Sequence, residues 1–220
     1  MLTVHEIYLS VQGESTHVGR PCVFVRLTAC DLRCVWCDTP YAFTGGRKMS
    51  VEDVVAAVRA LNCKLVELTG GEPLLQAEAI PLMQKLIDDG FEVLLETGGH
   101  LPLDRLPAGV HAIMDVKCPG SGEASKMHWP NLDAITRDHE VKFVIANRAD
   151  YEYARKIIST HDLGARAGAV LLSPVHGVQR ADDVVRWMLE DRLPARLQVQ
   201  VQAVLRTSQN HHQQHSQYCC

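Results

Sequence analysis

From about residue 20 onward, short apolar runs alternate with stretches of helical periodicity. Runs rich in Val, Leu, Ile and Phe at residues 22–28, 65–69, 92–96, 112–116, 141–145, 169–172 and 197–201 predict strands. Between them, residues 51–61, 78–89, 149–160 and 181–190 repeat apolar positions at three- and four-residue spacing and predict helices. Ser50, with Asp53 three residues later, reads as a helix start. Strand–helix alternation argues an α/β fold whose parallel sheet is buried on both faces, with right-handed crossovers. At 220 residues the chain is short for a closed eight-fold barrel, which typically needs about 250. An open, incomplete TIM-like (β/α) barrel of parallel strands fits better. Residues 1–206 are expected to form one domain. Residues 207–220 are polar, lack apolar periodicity and are expected to be a disordered tail.

Parallel α/β folds place their chemistry at the carboxyl ends of strands, and the chemically notable residues fall there. Cys30 follows the first predicted strand, Gly70-Gly71-Glu72-Pro73 the second and Thr97-Gly98-Gly99 the third. Lys117-Cys118-Pro119-Gly120 follows the fourth and Ser173-Pro174-Val175-His176 a later one. One rim thus collects thiols, glycines, a lysine and carboxylates.

The formal charge is −4, with Lys and Arg scattered. Neither a nucleic acid nor an anionic membrane surface would be drawn to such a distribution. No apolar run approaches the roughly 20 residues needed to span a bilayer, and the first residues lack a basic segment followed by a long apolar one. A cytoplasmic protein with no nucleic-acid or membrane partner is the expectation. Eight cysteines in such a compartment need explaining, because structural disulfides are rare there. Three crowd into Cys30-Asp-Leu-Arg-Cys34-Val-Trp-Cys37, two end the chain, and Cys22, Cys63 and Cys118 stand alone. Closed structural zinc wants four ligands, usually in two close pairs, and here only three are local. Three thiolates on a [4Fe-4S] cluster would leave one iron open. Cys63 or Cys118 could close it, so spacing alone leaves zinc and an electron-transfer cluster in play.

The C-x3-C-x2-C spacing, with Trp36 before Cys37, resembles the motif of the radical S-adenosylmethionine (SAM) superfamily. The resemblance implies that Cys30, Cys34 and Cys37 hold a [4Fe-4S] cluster whose open iron binds SAM, and that reductive cleavage of SAM yields a 5′-deoxyadenosyl radical. Thr69-Gly70-Gly71-Glu72-Pro73 resembles that superfamily's glycine-rich SAM-contacting motif. Independently of the name, glycines let a backbone approach a zwitterion and adopt positive φ.

The wider pattern resembles the 7-carboxy-7-deazaguanine synthase family of queuosine precursor synthesis. It comprises Gln12-Gly13-Glu14, Gly19-Arg20-Pro21 with Arg26, the cysteine triad with Asp38-Thr39, the Gly70-Gly71 motif, Glu96-Thr97-Gly98-Gly99, Lys117 and Ser173 to His176. It covers residues 4–202. The resemblance implies a homodimeric lyase that converts 6-carboxy-5,6,7,8-tetrahydropterin to 7-carboxy-7-deazaguanine with loss of ammonia, with Mg²⁺ required. Val11, Gln12, Gly13, Glu14, Arg26, Thr69 and His176 are the implied substrate contacts. Trp36, Cys37, Asp38, Gly71, Asp115, Val116 and Lys117 are the implied SAM contacts, and Thr39 the Mg²⁺ contact. The reductant would be a carrier such as flavodoxin or ferredoxin.

From the residues alone, a buried Arg26 needs a partner. Glu14 could supply it, or a substrate carboxylate could. Glu96 could face ligand or be a core carboxylate, and Cys22, Cys63 and Cys118 read as small buried or partly exposed side chains. The family's last strand runs into a Gln-Leu-His-Lys-like sequence. Here Gln198-Val199-Gln200-Val201-Gln202 and a Gln/His-rich tail stand instead, and His211, His212, His215 and the terminal thiols offer stray metal ligands. Two other readings stay open: a glycyl-radical activating enzyme, which shares the cysteine spacing, and a non-catalytic iron–sulfur or zinc scaffold.

Overall fold

In the computed structural model, which describes residues 1–203, nine strands form one sheet. They are β1 Leu2–Val11, β2 Pro21–Leu27, β3 Arg47–Met49, β4 Leu65–Gly70, β5 Glu92–Thr97, β6 Val110–Asp115, β7 Glu140–Ile145, β8 Ala169–Pro174 and β9 Arg196–Leu197. The helices are α1 Val51–Ala60, α2 Ala79–Asp88, α3 Asn131–Ala134, α4 Arg148–Thr160, α5 Leu163–Arg166 and α6 Ala181–Asp191. The sheet order is β3-β1-β2-β4-β5-β6-β7-β8-β9. From β2 to β9 every pairing is parallel and follows chain order, whereas β1 pairs antiparallel with both β2 and β3. This is an incomplete (β/α) barrel, left open where further strands would close a full one.

The outer face is apolar in two blocks. Val23, Val25, Val66, Leu68, Val93 and Leu95 pack under Val54, Val58, Leu82 and Leu86 of α1 and α2. Val141, Phe143, Val170 and Leu172 pack under Tyr151, Ala154, Ile158 and Val184 of α4 and α6. Ser50 accepts from the Asp53 N–H while Asp53 accepts from the Ser50 N–H, a reciprocal cap that starts α1 where the sequence predicted it. Asn147 accepts from the Asp150 N–H and starts α4 likewise.

The alternate residues of each strand face inward, as a period of two requires. Phe24, Leu65, Leu94 and Ile113 form a small apolar layer inside the barrel. Nearer the carboxyl ends this gives way to Arg26, Glu67, Thr69, Glu96, Asp115 and Lys142, all lining one cavity.

Two expectations need correcting. Residues 197–201 do not form a strand: β9 ends at Leu197 and residues 201–203 are helical. The Gln198, Gln200 and Gln202 side chains all turn toward Glu14, and the Val201 N–H donates to the Gly13 carbonyl at 3.1 Å. Those contacts draw the chain out of the ladder. At the other end, β1, paired with β2 along Val4 to Val11 and with the short edge strand β3, is absent from the predicted set. The tail 207–220 and its histidines and thiols lie outside the described residues. No helix is long and apolar enough to cross a membrane, among the described residues.

Candidate active site

The carboxyl ends of the strands surround a cavity of about 690 Å³, within the range of small-molecule and cofactor sites. Cys30, Cys34 and Cys37 line one side of it. Their loop is held by backbone bonds: Val35 N–H to Ser121 O at 3.1 Å, Cys37 N–H to Cys34 O at 3.1 Å, and Ala29 N–H to Ala42 O at 2.9 Å. Ala29, directly before the first thiol, is left-handed at φ 81°, a conformation that costs a non-glycine residue energy and is tolerated where surroundings enforce it.

The glycine motif has a packing reason that the sequence did not show. A Cβ on Gly71 would lie 1.9 Å from the Ala29 carbonyl oxygen, and one on Gly70 (φ 130°) 2.2 Å from the Leu27 carbonyl. Gly71 N–H donates to Leu27 O at 3.0 Å and Glu72 N–H to Ala29 O at 2.8 Å. The glycines thus press the second strand end against the cysteine loop, beyond any approach to a ligand. Glu72, buried, accepts from Leu74 N, Gly98 N and Thr97 Oγ1 at 2.8 to 3.0 Å, tying the end of β4 to the end of β5. Gly71→Ala is therefore expected to destabilise the fold by about 1–3 kcal/mol through overpacking against backbone. It should also lower iron retention, and thermal unfolding with iron analysis of the purified variant checks both.

The three thiols fit an open iron–sulfur cluster. Cys118 is buried with its Sγ 3.9 Å from the Val116 and Asp150 carbonyls, and burial pushes its thiol up. The Cys63 thiol points to the Pro21 carbonyl at 3.2 Å, at the start of β2. Neither lines the cavity, so among the described residues no fourth cysteine completes the set. Burial raises the Cys30 and Cys34 thiols, while the Lys117 ammonium near Cys34 works toward the thiolate that a cluster needs. Lys117 Nζ donates to Asp115 Oδ2 at 2.8 Å. Asp115 Oδ1 is buried with no partner, which leaves an open acceptor beside the thiols.

Deeper in the cavity lies a charged floor. Lys142 Nζ contacts Glu14 Oε2 at 2.9 Å and also Glu96. Glu14 further accepts from Gln198, Gln200 and Gln202 at 2.7 to 3.0 Å. Burial works against the Glu14 carboxylate, but the Lys142 ammonium and the amides hold it below the usual range. Burial pushes Glu96 well up despite Lys142, with Glu14 adding to the rise. Glu67, which accepts from Gln12 Nε2, is pushed up to about 7 by burial and by the Glu14 charge. One lysine among three carboxyls keeps a proton on the floor.

Gln12, Glu14, Arg26, Thr69, Trp36, Asp38, Thr39, Gly71, Asp115, Lys117 and His176 line this cavity with the thiols, His176 at its exposed rim. Val11, Gly13 and Val116 do not. Val11 is exposed on β1, Gly13 makes room for Gln202, whose Oε1 would meet a Cβ at 2.0 Å, and Val116 is sealed in the outer core. Arg26 is not paired with Glu14. Its Nε donates to Glu6 at 2.7 Å and its Nη2 to Tyr8 at 3.0 Å, both on the neighbouring strand. Lys142 and Glu67 were missed in the sequence, though each is a lone charge within an apolar strand, the signal that marks Arg26.

The Radical SAM superfamily profile matches residues 25–160. The 7-carboxy-7-deazaguanine synthase of Koribacter versatilis (strain Ellin345) is 47% identical over 213 residues, covering 90% of this chain and 94% of that protein. The synthase of the same name from Chlorobaculum tepidum is 41% identical over 203 residues, covering 91% and 92%. Among solved structures, QueE from Escherichia coli superposes with a TM-score of 0.73 at 22% identity over 91% of this chain and 94% of that one, a likeness of fold. The chain belongs to the 7-carboxy-7-deazaguanine synthase family of the radical SAM superfamily.

Proposed function

We propose that the protein converts 6-carboxy-5,6,7,8-tetrahydropterin to 7-carboxy-7-deazaguanine with loss of ammonia, supplying the precursor of queuosine. The observation that carries this is a single cavity with three thiols on one wall and a Glu14–Gln12–Lys142 floor opposite. A [4Fe-4S] cluster held by Cys30, Cys34 and Cys37, together with SAM, would supply radical hydrogen abstraction at the substrate's C6.

The chain's own residues bind and orient. Glu14, held as an anion, accepts from the amino and ring N–H groups of the pterin, which carries donors along that edge. Gln12 Oε1 accepts from the Glu14 N–H at 3.1 Å while its amide donates to Glu67, so one side chain aligns both carboxyls. Arg26 keeps Nη1 for the substrate carboxylate once Glu6 and Tyr8 have taken Nε and Nη2. Glu96 and Glu67 hold a proton beside Lys142, close to where ammonia must leave. Asp115, Lys117, Trp36, Asp38 and Gly71 contact SAM, while Thr69 and His176 flank the substrate. Thr39 would lend a neutral oxygen to Mg²⁺ at the cavity wall.

The protein is read as a cytoplasmic homodimer, with a flavodoxin- or ferredoxin-type donor delivering electrons at the rim. The exposed Leu9, Val11 and Val18 around the end of β1 favour contact between two copies. Residues 1–206 act as one domain.

Reconstituted anaerobically, reduced, and given SAM, Mg²⁺ and the carboxytetrahydropterin, the enzyme is expected to form a product with deazapurine absorption. SAM cleavage with no deazapurine would refute the substrate assignment. A raised Glu67 means that the folded state holds a proton the unfolded chain has released between about pH 4.5 and about 7, so stability falls as pH rises through that window. Glu67→Gln lacks this penalty. Its thermal midpoint relative to the parent should improve by a few degrees from about pH 5.5 to about pH 8, which melting curves at both values check.

A further inference from the structure

At the opposite mouth of the barrel from the thiols, His17, His111 and Glu140 each offer one ligand atom, and the three atoms lie within 4.8 Å of one another. They come from separate elements: the loop after β1, the second position of β6 and the first of β7. None lines the active-site cavity. Glu140 is fully buried, whereas the His17 and His111 side chains are 13% and 22% exposed.

We propose that this cluster is a binding site for a divalent transition ion of the zinc class, held by two imidazoles and a carboxylate with water in the fourth position. Its effect is to fasten the loop that carries Gln12 and Glu14 to the barrel. Such a donor set suits zinc, whereas magnesium and calcium prefer all-oxygen shells. The His17 ring is already set for the task. Its Nε2 faces Glu92 Oε1 at 3.0 Å, while its Nδ1 is buried with no partner. An outer carboxylate on one ring nitrogen and a bare lone pair on the other is how metal-binding histidines are oriented.

His111 Nε2 lies 2.9 Å from Glu140 Oε1. Neighbouring ligands around tetrahedral zinc are about 3.3 Å apart, given bonds of about 2.0–2.1 Å. Gathering the set around an ion therefore asks for side-chain shifts on the order of 1 Å. Glu140 also receives the Thr16 N–H at 3.2 Å and the Thr16 hydroxyl, so an ion here would act on a carboxylate that already grips residue 16. Two residues upstream, Glu14 occupies the cavity floor.

The full-length, cluster-loaded enzyme, dialysed against a chelator and then titrated anaerobically with Zn²⁺, tests this beside His111→Gln and His17→Gln. Gln at 17 can still donate to Glu92, and iron content with circular dichroism reports folding. The parent should bind about one more zinc per chain than either variant, and zinc should raise its thermal midpoint but not theirs. The variants should bind at that site at least about 10-fold more weakly. Zinc-edge anomalous diffraction should place the ion between His17, His111 and Glu140. Equal zinc in parent and variants, density only elsewhere, or no bound zinc would each overturn the site and leave a hydrogen-bonded His111–Glu140 pair.

Discussion

Cys34→Ala is expected to lower turnover at least about 10,000-fold while leaving the fold intact, because the radical chemistry resides in the cofactors and not in the side chains. The loop survives the change: Val35 N–H to Ser121 O and Cys37 N–H to Cys34 O are backbone bonds that an alanine retains. Iron should fall from about four per chain to a small fraction of that, since two thiolates hold a cubane poorly. Cys118→Ala provides the contrast. That thiol is 1% exposed in the outer core, so its loss should lower the melting temperature by a few degrees while iron and turnover persist. Iron assay, melting curves and turnover on the two variants separate a ligand from a packed thiol. A Cys118 variant that loses its iron would revive the closed four-cysteine cluster.

Lys142→Met should have the second largest effect. Lys142 is the cation shared by Glu14 and Glu96 on the cavity floor, and all three side chains are at most 22% exposed. Breaking a buried pair by removing one partner typically costs about 3–5 kcal/mol, because the remaining charge stays desolvated. For a chain of this size that is a drop of roughly 10 °C in melting temperature. The stranded carboxyls would respond by taking up protons. The folded value of Glu14 would then join that of Glu96 above the unfolded range, so the stability of the variant should decline as pH rises from about 6 to about 8, more steeply than that of the parent. Protonated Glu14 would lose its charge and present an O–H donor in place of one acceptor to the pterin edge, so KM for substrate should rise. Lys142→Met with Glu96→Gln should recover part of the stability at the higher pH, since one buried carboxyl that must hold a proton to stay folded is then removed outright. A lysine variant with unchanged melting temperature at both pH values would show that the floor is wetter and its ion pairs weaker than the geometry implies.

The molecule shows which features of a sequence carry site information. The parallel strands were legible because each is a short apolar run between helical stretches, and the observed β2, β4, β5, β7 and β8 lie within two residues of the expected bounds. Helix α1 was legible from its cap and α4 from its apolar periodicity. β1 was not, since His5, Glu6 and Ser10 interrupt its apolar positions and the pairing with β2 shifts register between Val4 and Glu6. That omission had a consequence at the site. Glu6 lies directly across from Arg26, and with β1 unseen, Glu14 looked like the nearest available partner. Lys142 and Glu67 escaped for a related reason. A lone charge in an apolar strand announces burial, but which face it takes, and which charges meet it across the barrel, depends on strand register. The Gln198 to Gln202 run kept the alternation of a strand, and only the Glu14 carboxylate explains why it leaves the ladder.

The central claim is that one cavity joins the cysteine triad to the pterin-binding floor, and isotope transfer tests it most directly. The reduced, cluster-loaded enzyme is given SAM and substrate carrying deuterium at C6. Deuterium should accumulate in the 5′ position of recovered SAM as 7-carboxy-7-deazaguanine forms. Product formation with unlabelled SAM would contradict the account, because the hydrogen would then have left by a route that does not pass the thiol wall.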